Sequence, residues 1–209
     1  MDNYLVFDLE TQRSAQDVGG WQNIAEMKVS VGVIWDSQKD QFFTYYEDQV
    51  MGLITHLKSG PLIIGYNHIG FDYTVLTGYY PPGKEREQAL KEFSSLPNLD
   101  LLIEIRQILG KRIKLDSIAR ATLNAGKSAD GLLALQWYKD YLNGEEDKLK
   151  KIADYCRMDV EVTRDIYLYG CAKREVLYID KVLGLKKIEV NWGKSQVVPK
   201  SPGTFQLSF

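Results

Sequence analysis

The 209-residue sequence is poor in cysteine, has no long apolar run and carries almost no net charge. Its two cysteines, Cys156 and Cys171, are too few for a disulfide scaffold, and its first residues lack the basic-then-apolar pattern of a secretion signal. Both absences predict a cytoplasmic protein. No stretch approaches the roughly 18 uninterrupted apolar residues of a membrane span, so no membrane contact is expected. Because the formal net charge is −2, any affinity for a polyanion must come from local basic patches or bound cations.

The apolar content, 44% of the residues, is enough for the core of one globular domain. Strand patterns come first and helical patterns dominate later, which favours an α/β domain with a mixed β-sheet of about five strands, covered by helices on both faces. The predicted strands are Tyr4–Leu9, Met27–Trp35 and Gln41–Glu47, which form an antiparallel unit, followed by Leu62–Gly65 and Asn98–Leu102. The predicted helices are Gln49–Lys58, Phe71–Leu76, Leu101–Leu109, Ser117–Leu123 with Asp116 as its N-cap, Leu132–Leu142 and Lys148–Tyr169.

The chain is expected to divide at about residue 170. Residues 1–170 hold the α/β domain. After it, the alternating segments Glu175–Lys181 and Lys186–Trp192 predict a small hairpin around Leu183 and Gly184. The last segment, Gly193–Phe209, is rich in Ser, Pro, Gly and Lys and is expected to be loosely ordered. Residues 171–209 are thus interpreted as a hairpin-like extension with a loose tail.

Three short elements carry acidic residues at spacings that favour a shared site. Asp8 and Glu10 stand two apart in the first predicted strand, so both side chains point to the same face. Asp72 follows a predicted strand and lies in the first turn of a helix. Tyr155 and Asp159 stand four apart in the last long helix, so they stack on one helix face.

Each of these elements also has an ordinary structural interpretation. An acidic pair at the end of a strand is commonly solvated. A carboxylate such as Asp72 stabilises a helix start through the helix macrodipole. A Tyr155–Asp159 pair fits an exposed helix surface. One element alone therefore does not establish a catalytic site, and the argument depends on all three occurring together.

In this order and context, the three elements resemble the three sequence motifs of the DEDD 3′–5′ exonucleases, a group within the ribonuclease H-like superfamily. The form Tyr-x-x-x-Asp indicates the tyrosine branch, because the histidine branch would need histidine at position 154, which is Asp154 here. The resemblance covers about residues 4–170, so the first domain is interpreted as a ribonuclease H-like exonuclease domain. The residues that carry it are Asp8-Leu9-Glu10 followed by Thr11, Asn67 with Phe71-Asp72, and Tyr155 with Asp159.

The resemblance implies hydrolysis of phosphodiester bonds at the 3′ end of a single-stranded nucleic acid, DNA in preference to RNA, by a two-metal-ion mechanism. It implies two divalent ions, Mg²⁺ or Mn²⁺, because hard cations prefer oxygen ligands. Tyr155 would orient the attacking water rather than take its proton, since a phenol with an ordinary pKa of about 10 is protonated at neutral pH. Thr11 and Asn67 match positions near the terminal nucleotide. The implied metal ligands are Asp8, Glu10, Asp72 and Asp159.

Most of the other residues near the three motifs are expected to pack rather than to act in catalysis. Phe71 is expected in the core, Cys156 is expected to pack, and His68 is given no metal role because an oxygen site does not need imidazole. Tyrosines near the second motif have two alternatives, stacking on bases or ordinary packing. A short basic run could track phosphates or form a solvated face. These last two sets are Tyr66, Tyr73, Tyr79 and Tyr80, and Lys111, Arg112 and Lys114.

Three functional hypotheses follow. The first is an active 3′–5′ exonuclease on DNA, the second an RNA-trimming 3′–5′ exoribonuclease, and the third a catalytically inactive nucleic-acid-binding module of the same fold. The complete acidic set argues against the third, because clustered carboxylates are costly without metal. The sequence carries no polymerase or helicase motif and no Gly-rich phosphate loop, so a separate helicase or polymerase partner stays an open question.

Overall fold

The computed structural model describes residues 3–125 and 131–193. The strands in this part of the chain are β1 (Leu5–Thr11), β2 (Val29–Asp36), β3 (Gln41–Tyr46), β4 (Ile63–Gly65), β5 (Asn98–Asp100), β6 (Glu175–Asp180) and β7 (Gly184–Glu189). The α-helices are α1 (Val50–Ser59), α2 (Asp72–Thr77), α3 (Lys84–Ser95), α4 (Leu101–Leu109), α5 (Leu115–Leu123), α6 (Gly131–Leu142) and α7 (Asp147–Lys173). None of these described helices combines the length and the apolar content that crossing a bilayer requires.

The main sheet is mixed and has the strand order β3-β2-β1-β4-β5. β1 and β3 are both antiparallel to β2, whereas β4 is parallel to β1 and to β5. The predicted antiparallel unit and the predicted five-stranded sheet are both confirmed. Between β1 and β4 the ladder consists of only two residue pairs, Leu5 with Ile63 and Val6 with Ile64. Beyond Val6, the β4-facing edge of β1 is therefore available to other hydrogen-bond partners.

Helices cover both faces of the sheet, as the sequence predicts, because the strands are apolar on both sides. In β1, Leu5, Phe7 and Leu9 enter a core shared with α1, α2 and α3, whereas Val6 enters a core shared with α4, α5, α6 and α7. Each fully buried side chain of this kind contributes about 1.5–3 kcal/mol. Burial on both sides therefore fixes the register of β1, since a slip by one residue would exchange the two faces.

Two local features differ from the sequence prediction. The patterns do not predict α3, because its sequence is mostly charged or polar and it buries only Ala89 and Phe93, one turn apart. The prediction of Asp116 as an N-cap is wrong. Helix α5 starts one residue before Asp116, with Lys114 at the N-cap position, and the Asp116 carboxylate instead pairs with Arg120 one turn later at 3.0 Å.

The C-terminal hairpin packs against the α/β domain. Strands β6 and β7 pair antiparallel, so the predicted hairpin is present. Its second strand begins at Gly184 and ends at Glu189, rather than spanning the predicted Lys186–Trp192, because Gly184 already pairs with Asp180. The Thr122 hydroxyl of α5 donates to the Leu177 carbonyl at 3.0 Å and accepts from the Leu177 N–H at 2.9 Å. Trp192 is buried against Gly170 of α7. From residue 194 onward, the tail that the sequence predicts to be loosely ordered lies outside the described residues.

Replacing Gly170 by alanine tests whether the segment after β7 belongs to the core. An added Cβ would overlap the indole of Trp192, and overpacking of this kind costs about 1–3 kcal/mol. We expect Gly170→Ala to lower the free energy of unfolding by about that amount in urea denaturation. Gly52→Ala in α1 is the matched control, because its Cβ would meet Tyr45 only at 3.5 Å and alanine favours the helix. Equal stability of the two variants would contradict the packing of Trp192.

Candidate active site

Asp8 and Glu10 share one face of β1. Because side chains alternate along a strand, both lie on the side of Val6, which faces α7, whereas Leu9 between them is buried on the opposite side. Both acidic side chains are partly exposed. The buried Leu9 thus holds the strand in a register that directs both carboxylates toward α7.

Helix α7 supplies Tyr155 and Asp159 from its buried face. Tyr155 is 4% exposed and Asp159 is 8% exposed, so they do not form the exposed surface pair considered as an alternative. Oxygen atoms of Asp8, Glu10 and Asp159 all lie within 4.8 Å of one another. The Tyr155 ring packs edge-to-face on Trp137 of α6, with 6.3 Å between ring centroids. Three carboxylates at this spacing can hold a divalent cation.

Asp72 lies beside this group of three rather than within it. It is buried at the start of α2, and its Oδ1 accepts a hydrogen bond from the Leu9 N–H at 3.1 Å. This bond uses the edge of β1 that β4 leaves unpaired, between Asp8 and Glu10. Burial, with a smaller contribution from the negative charge of Asp100, raises the pKa of Asp72 to about 7, although hydrogen bonds from two backbone N–H groups oppose the rise. Without a cation, Asp72 is therefore partly protonated at neutral pH.

Cys156 lies behind the carboxylates and is completely buried. Its thiol donates to the Asp8 carbonyl oxygen at 3.4 Å, and its Sγ lies 3.9 Å from Asp8 Oδ2. Burial raises the pKa of the thiol well above its ordinary value, and the negative charges of four carboxylates add to the rise. The packing role predicted for Cys156 is confirmed. The four carboxylates that act on this one sulfur belong to Asp8, Glu10, Asp159 and Asp72.

The family model of the RNase_H superfamily matches residues 5–171. The chain belongs to the ribonuclease H superfamily. The α/β fold expected from the sequence is consistent with the fold of this superfamily, and membership supports a nuclease function for the chain.

Among solved structures, the family B DNA polymerase from the hyperthermophilic archaeon Pyrobaculum calidifontis is similar, with a TM-score of 0.56 and 18% sequence identity. The match covers 82% of this chain and 24% of the polymerase chain. This chain therefore spans about a quarter of the length of the polymerase. At this identity the similarity concerns the fold alone. No curated protein matches the sequence.

For Thr11 and Asn67, the resemblance stated above implies positions near the terminal nucleotide. In the structure, both residues lie where a strand of the main sheet ends. Thr11 ends β1, and its hydroxyl donates to the Arg13 carbonyl at 3.1 Å. Asn67 follows β4 and has a φ of 74°, a left-handed conformation that asparagine adopts more readily than most residues. Both residues lie at the carboxyl ends of their strands. Because β1 and β4 are parallel neighbours, these two ends lie on the same side of the sheet, which is also the side of Asp8 and Glu10.

Three of the four tyrosines considered for base stacking are hydrogen-bonded inside the structure. The Tyr66 hydroxyl donates to the Ile113 carbonyl at 2.6 Å, and the Tyr73 hydroxyl donates to Asn98 Oδ1 at 2.5 Å. The Tyr79 hydroxyl accepts from the first N–H of β2 at 3.0 Å. Ordinary packing therefore accounts for these three side chains.

Trp21 is an aromatic residue beside the second motif, and no sequence pattern singles it out. It is 55% exposed and contacts Phe71 edge-to-face, with 6.4 Å between centroids. Phe71 directly precedes Asp72 and is only partly buried, so its predicted place in the core is only partly correct. Gly19 and Gly20 both have positive φ and shape the turn that presents Trp21.

Two other residues considered in the sequence have structural partners. His68 is buried, and its Nε2 is hydrogen-bonded to Asn98 Oδ1 at 3.2 Å. Lys111 of the basic run pairs with Asp180 of β6 at 2.6 Å. Lys111 thus joins the end of α4 to the hairpin, which is a structural role that does not need a phosphate.

The raised pKa of Asp72 predicts a pH-dependent stability in metal-free buffer. A carboxyl with a pKa of about 7 when folded and about 3.9 when unfolded binds more protons in the folded state, so the fold loses stability as pH rises between these values. Asp72→Asn removes this loss and keeps an oxygen for the Leu9 N–H. We expect the variant to melt at least about 2 °C higher than wild type at pH 8 in EDTA, and nearly equally at pH 4.

The control for this measurement is Asp154→Asn, which changes an exposed aspartate of the same site-bearing helix, α7. Its difference from wild type should not grow between pH 4 and pH 8 in the way expected for Asp72→Asn. A metal-free Asp72→Asn that melts below wild type at pH 8 would contradict the unfavourable ionisation of Asp72.

Proposed function

We propose that this chain is a metal-dependent 3′–5′ exonuclease of the tyrosine branch of the DEDD group, acting on single-stranded nucleic acid and on DNA in preference to RNA. The observation that carries the proposal is the convergence of Asp8, Glu10 and Asp159 within 4.8 Å, with Tyr155 one helical turn before Asp159. Superfamily membership supports the nuclease class. The order and spacing of the three sequence motifs support the finer assignment.

The donor atoms of the site fit hard divalent cations. They are carboxylate oxygens, which Mg²⁺ and Mn²⁺ prefer and softer metals do not. Carboxylates this close together repel one another, and bound cations would remove that repulsion. When bound, a pair of such ions supplies an activated water and neutralises charge on the nonbridging and leaving oxygens of the phosphate. The residues that would hold the pair are Asp8, Glu10 and Asp159, with Asp72 completing the set.

Tyr155 has the proposed role of orienting the attacking water. Its ring is fixed from one side by Trp137 of α6, and the backbone of α7 fixes its distance from Asp159. A buried, rigid hydroxyl can direct a water for in-line attack without taking a proton, and such positioning is a substantial part of phosphodiester hydrolysis. The hydroxyl group, rather than the ring, is therefore the part of Tyr155 on which turnover should depend.

The proposed contacts of the nucleic-acid substrate near its 3′ end are Thr11, Asn67 and Trp21. Thr11 and Asn67 lie at the carboxyl ends of β1 and β4, on the same side of the sheet as the carboxylates. Trp21 presents an exposed ring beside Phe71, and base–aromatic stacking contributes about 1–3 kcal/mol per base with little dependence on sequence. This arrangement suits an unpaired strand, because its bases are free to stack.

A digestion panel tests the proposed activity. We expect a 5′-labelled single strand to shorten stepwise from its 3′ end with Mg²⁺ or Mn²⁺, EDTA to abolish the reaction, and a blocked 3′ terminus to suppress it. The same reaction run with a DNA strand and with an RNA strand of equal length shows which nucleic acid is preferred. A circular single strand is the control, since it has no 3′ end. Circles cut as fast as linear strands would overturn the exonuclease assignment, and undiminished cleavage in EDTA would overturn the metal dependence.

Tyr155→Phe tests the role of the hydroxyl. The variant keeps the ring contact with Trp137, so we expect an unchanged half-saturating concentration of Mn²⁺ but a turnover lowered by roughly 10²-fold, a typical effect of a positioned group of this kind. Tyr167→Phe makes the same chemical change elsewhere in the buried face of α7 and should leave turnover near wild type.

Asp159→Asn provides the contrast, since it alters a proposed metal ligand in the same helix. We expect it to raise the half-saturating Mn²⁺ concentration, so that excess Mn²⁺ restores part of its activity but little of the activity of Tyr155→Phe. Wild-type turnover of Tyr155→Phe would remove its hydroxyl from the mechanism.

A further inference from the structure

One buried carboxylate, that of Asp100 at the end of β5, accepts hydrogen bonds from four backbone N–H groups. Its Oδ1 accepts from Asn67 at 2.9 Å, from Leu102 at 3.0 Å and from Ile103 at 3.3 Å. Its Oδ2 accepts from Ile69 at 3.1 Å. The Asp100 side chain is 1% exposed. Two of the donors belong to the first turn of α4, and the other two belong to the loop between β4 and α2.

The loop that Asp100 holds leads directly into Asp72. Within it, the Asn67 carbonyl accepts from the Phe71 N–H at 3.0 Å, and the His68 carbonyl accepts from the Tyr73 N–H at 3.0 Å. These two bonds form the turn from which α2 starts. The same loop residues thus connect Asp100 on one side with the backbone around Asp72 on the other.

The far end of this connection is the contact between Asp72 and β1. Asp72 Oδ1 accepts a hydrogen bond from the Leu9 N–H at 3.1 Å. Because Leu9 lies between Asp8 and Glu10 in β1, this bond holds the Asp72 carboxylate next to the segment that contains both acidic residues. A shift of the loop by 1 Å would lengthen this hydrogen bond beyond a useful distance. The position of Asp72 therefore depends on how firmly the loop is held.

A helix cap alone does not account for Asp100. Capping α4 needs acceptors for the Leu102 and Ile103 N–H groups only, and a serine at the N-cap position is about as effective as aspartate. The second oxygen of Asp100 is committed to the loop residue Ile69. His68 Nδ1 also lies 3.5 Å from this oxygen in the same buried space. The carboxylate is thus shared between the cap and the loop.

We propose that Asp100 is a positioning residue, which holds the loop after β4 so that Asp72 stands beside Asp8 and Glu10 and completes the metal-binding set. This inference rests on the proposed function of the carboxylate site. Asp100 acts through Asp72 and touches neither substrate nor cation. Carboxylates that orient metal ligands in this indirect way typically change metal affinity or activity by about 10–100-fold when they are replaced.

The test compares Asp100→Ser with a matched control at a temperature where both are folded by circular dichroism. Serine can still cap α4 but is too short to serve the loop, whereas Asp100→Asn keeps the size and loses one acceptor oxygen. The control is Asp180→Ser in the hairpin, because Asp180 also accepts two backbone N–H bonds, from Val182 at 3.0 Å and Leu183 at 3.1 Å. The readouts are the Mn²⁺ concentration that gives half of the thermal stabilisation, and the turnover on a single-stranded oligonucleotide.

We expect Asp100→Ser to raise the half-saturating Mn²⁺ concentration by about 10-fold or more and to lower turnover, with Asp100→Asn between it and wild type, and with Asp180→Ser unchanged. In a background of Asp72→Asn, replacing Asp100 should cause little further loss, because both changes affect the same ligand. A lower melting temperature with wild-type Mn²⁺ affinity and turnover would reduce Asp100 to a structural cap and overturn the proposal. Full additivity with Asp72→Asn would overturn it as well.

Two further outcomes separate this proposal from the proposed function. If wild-type protein binds Mn²⁺ but cleaves no nucleic acid, the exonuclease proposal fails, and the Mn²⁺ measurements still decide the role of Asp100. If Asp100→Ser does not fold, Asp100→Asn decides by the same two readouts, and wild-type values for that folded variant overturn the positioning role.

Discussion

Repulsion between like charges held close together is the constraint that shapes the rest of this structure. Oxygens of Asp8, Glu10 and Asp159 lie within 4.8 Å of one another, and a pair of unit charges at such a distance repels by roughly 3–4 kcal/mol at an effective dielectric constant of about 20. The opposing contribution comes from β1 itself, where each buried apolar side chain stabilises by about 1.5–3 kcal/mol. The four that do so are Leu5, Val6, Phe7 and Leu9. The three carboxylates form three such pairs, which together repel by roughly 10 kcal/mol, and the four side chains together contribute about 6–12 kcal/mol. The apolar burial of β1 is therefore of the same size as the repulsion that it opposes.

The same constraint explains what surrounds the carboxylates. The Leu9 N–H and the Cys156 thiol are both neutral donors directed at the acidic residues, Leu9 toward Asp72 and Cys156 toward the Asp8 carbonyl. Neutral donors lower the cost of burying oxygen atoms without cancelling their charge. A lysine or arginine in the place of Cys156 would neutralise the site and compete with cations. A small buried thiol instead leaves the negative charge available.

The sequence predicts those parts of the site that depend on local periodicity. Two-residue spacing places Asp8 and Glu10 on one strand face, and four-residue spacing places Tyr155 near Asp159, so both pairs are recoverable from the chain alone. Asp72 is recoverable as a helix-start carboxylate, but its partner Leu9 is 63 residues away, and no periodicity records such a contact. The role of Asp100 is hidden for the same reason, because its loop partners are about thirty residues earlier. Helix α3 is missed because its apolar stripe is too narrow to distinguish it from a polar loop.

The small net charge of the chain depends on the four carboxylates of the candidate site. Four of the 28 acidic side chains belong to the site, so the other 24 face 26 basic side chains, and the remainder of the chain carries a formal charge of +2. Without these four carboxylates, the formal net charge of the chain would thus be positive rather than negative. Two divalent cations would offset the four carboxylates completely and would leave the whole protein weakly positive. A nucleic acid would then meet no net repulsion, even though the metal-free chain offers a polyanion no overall attraction.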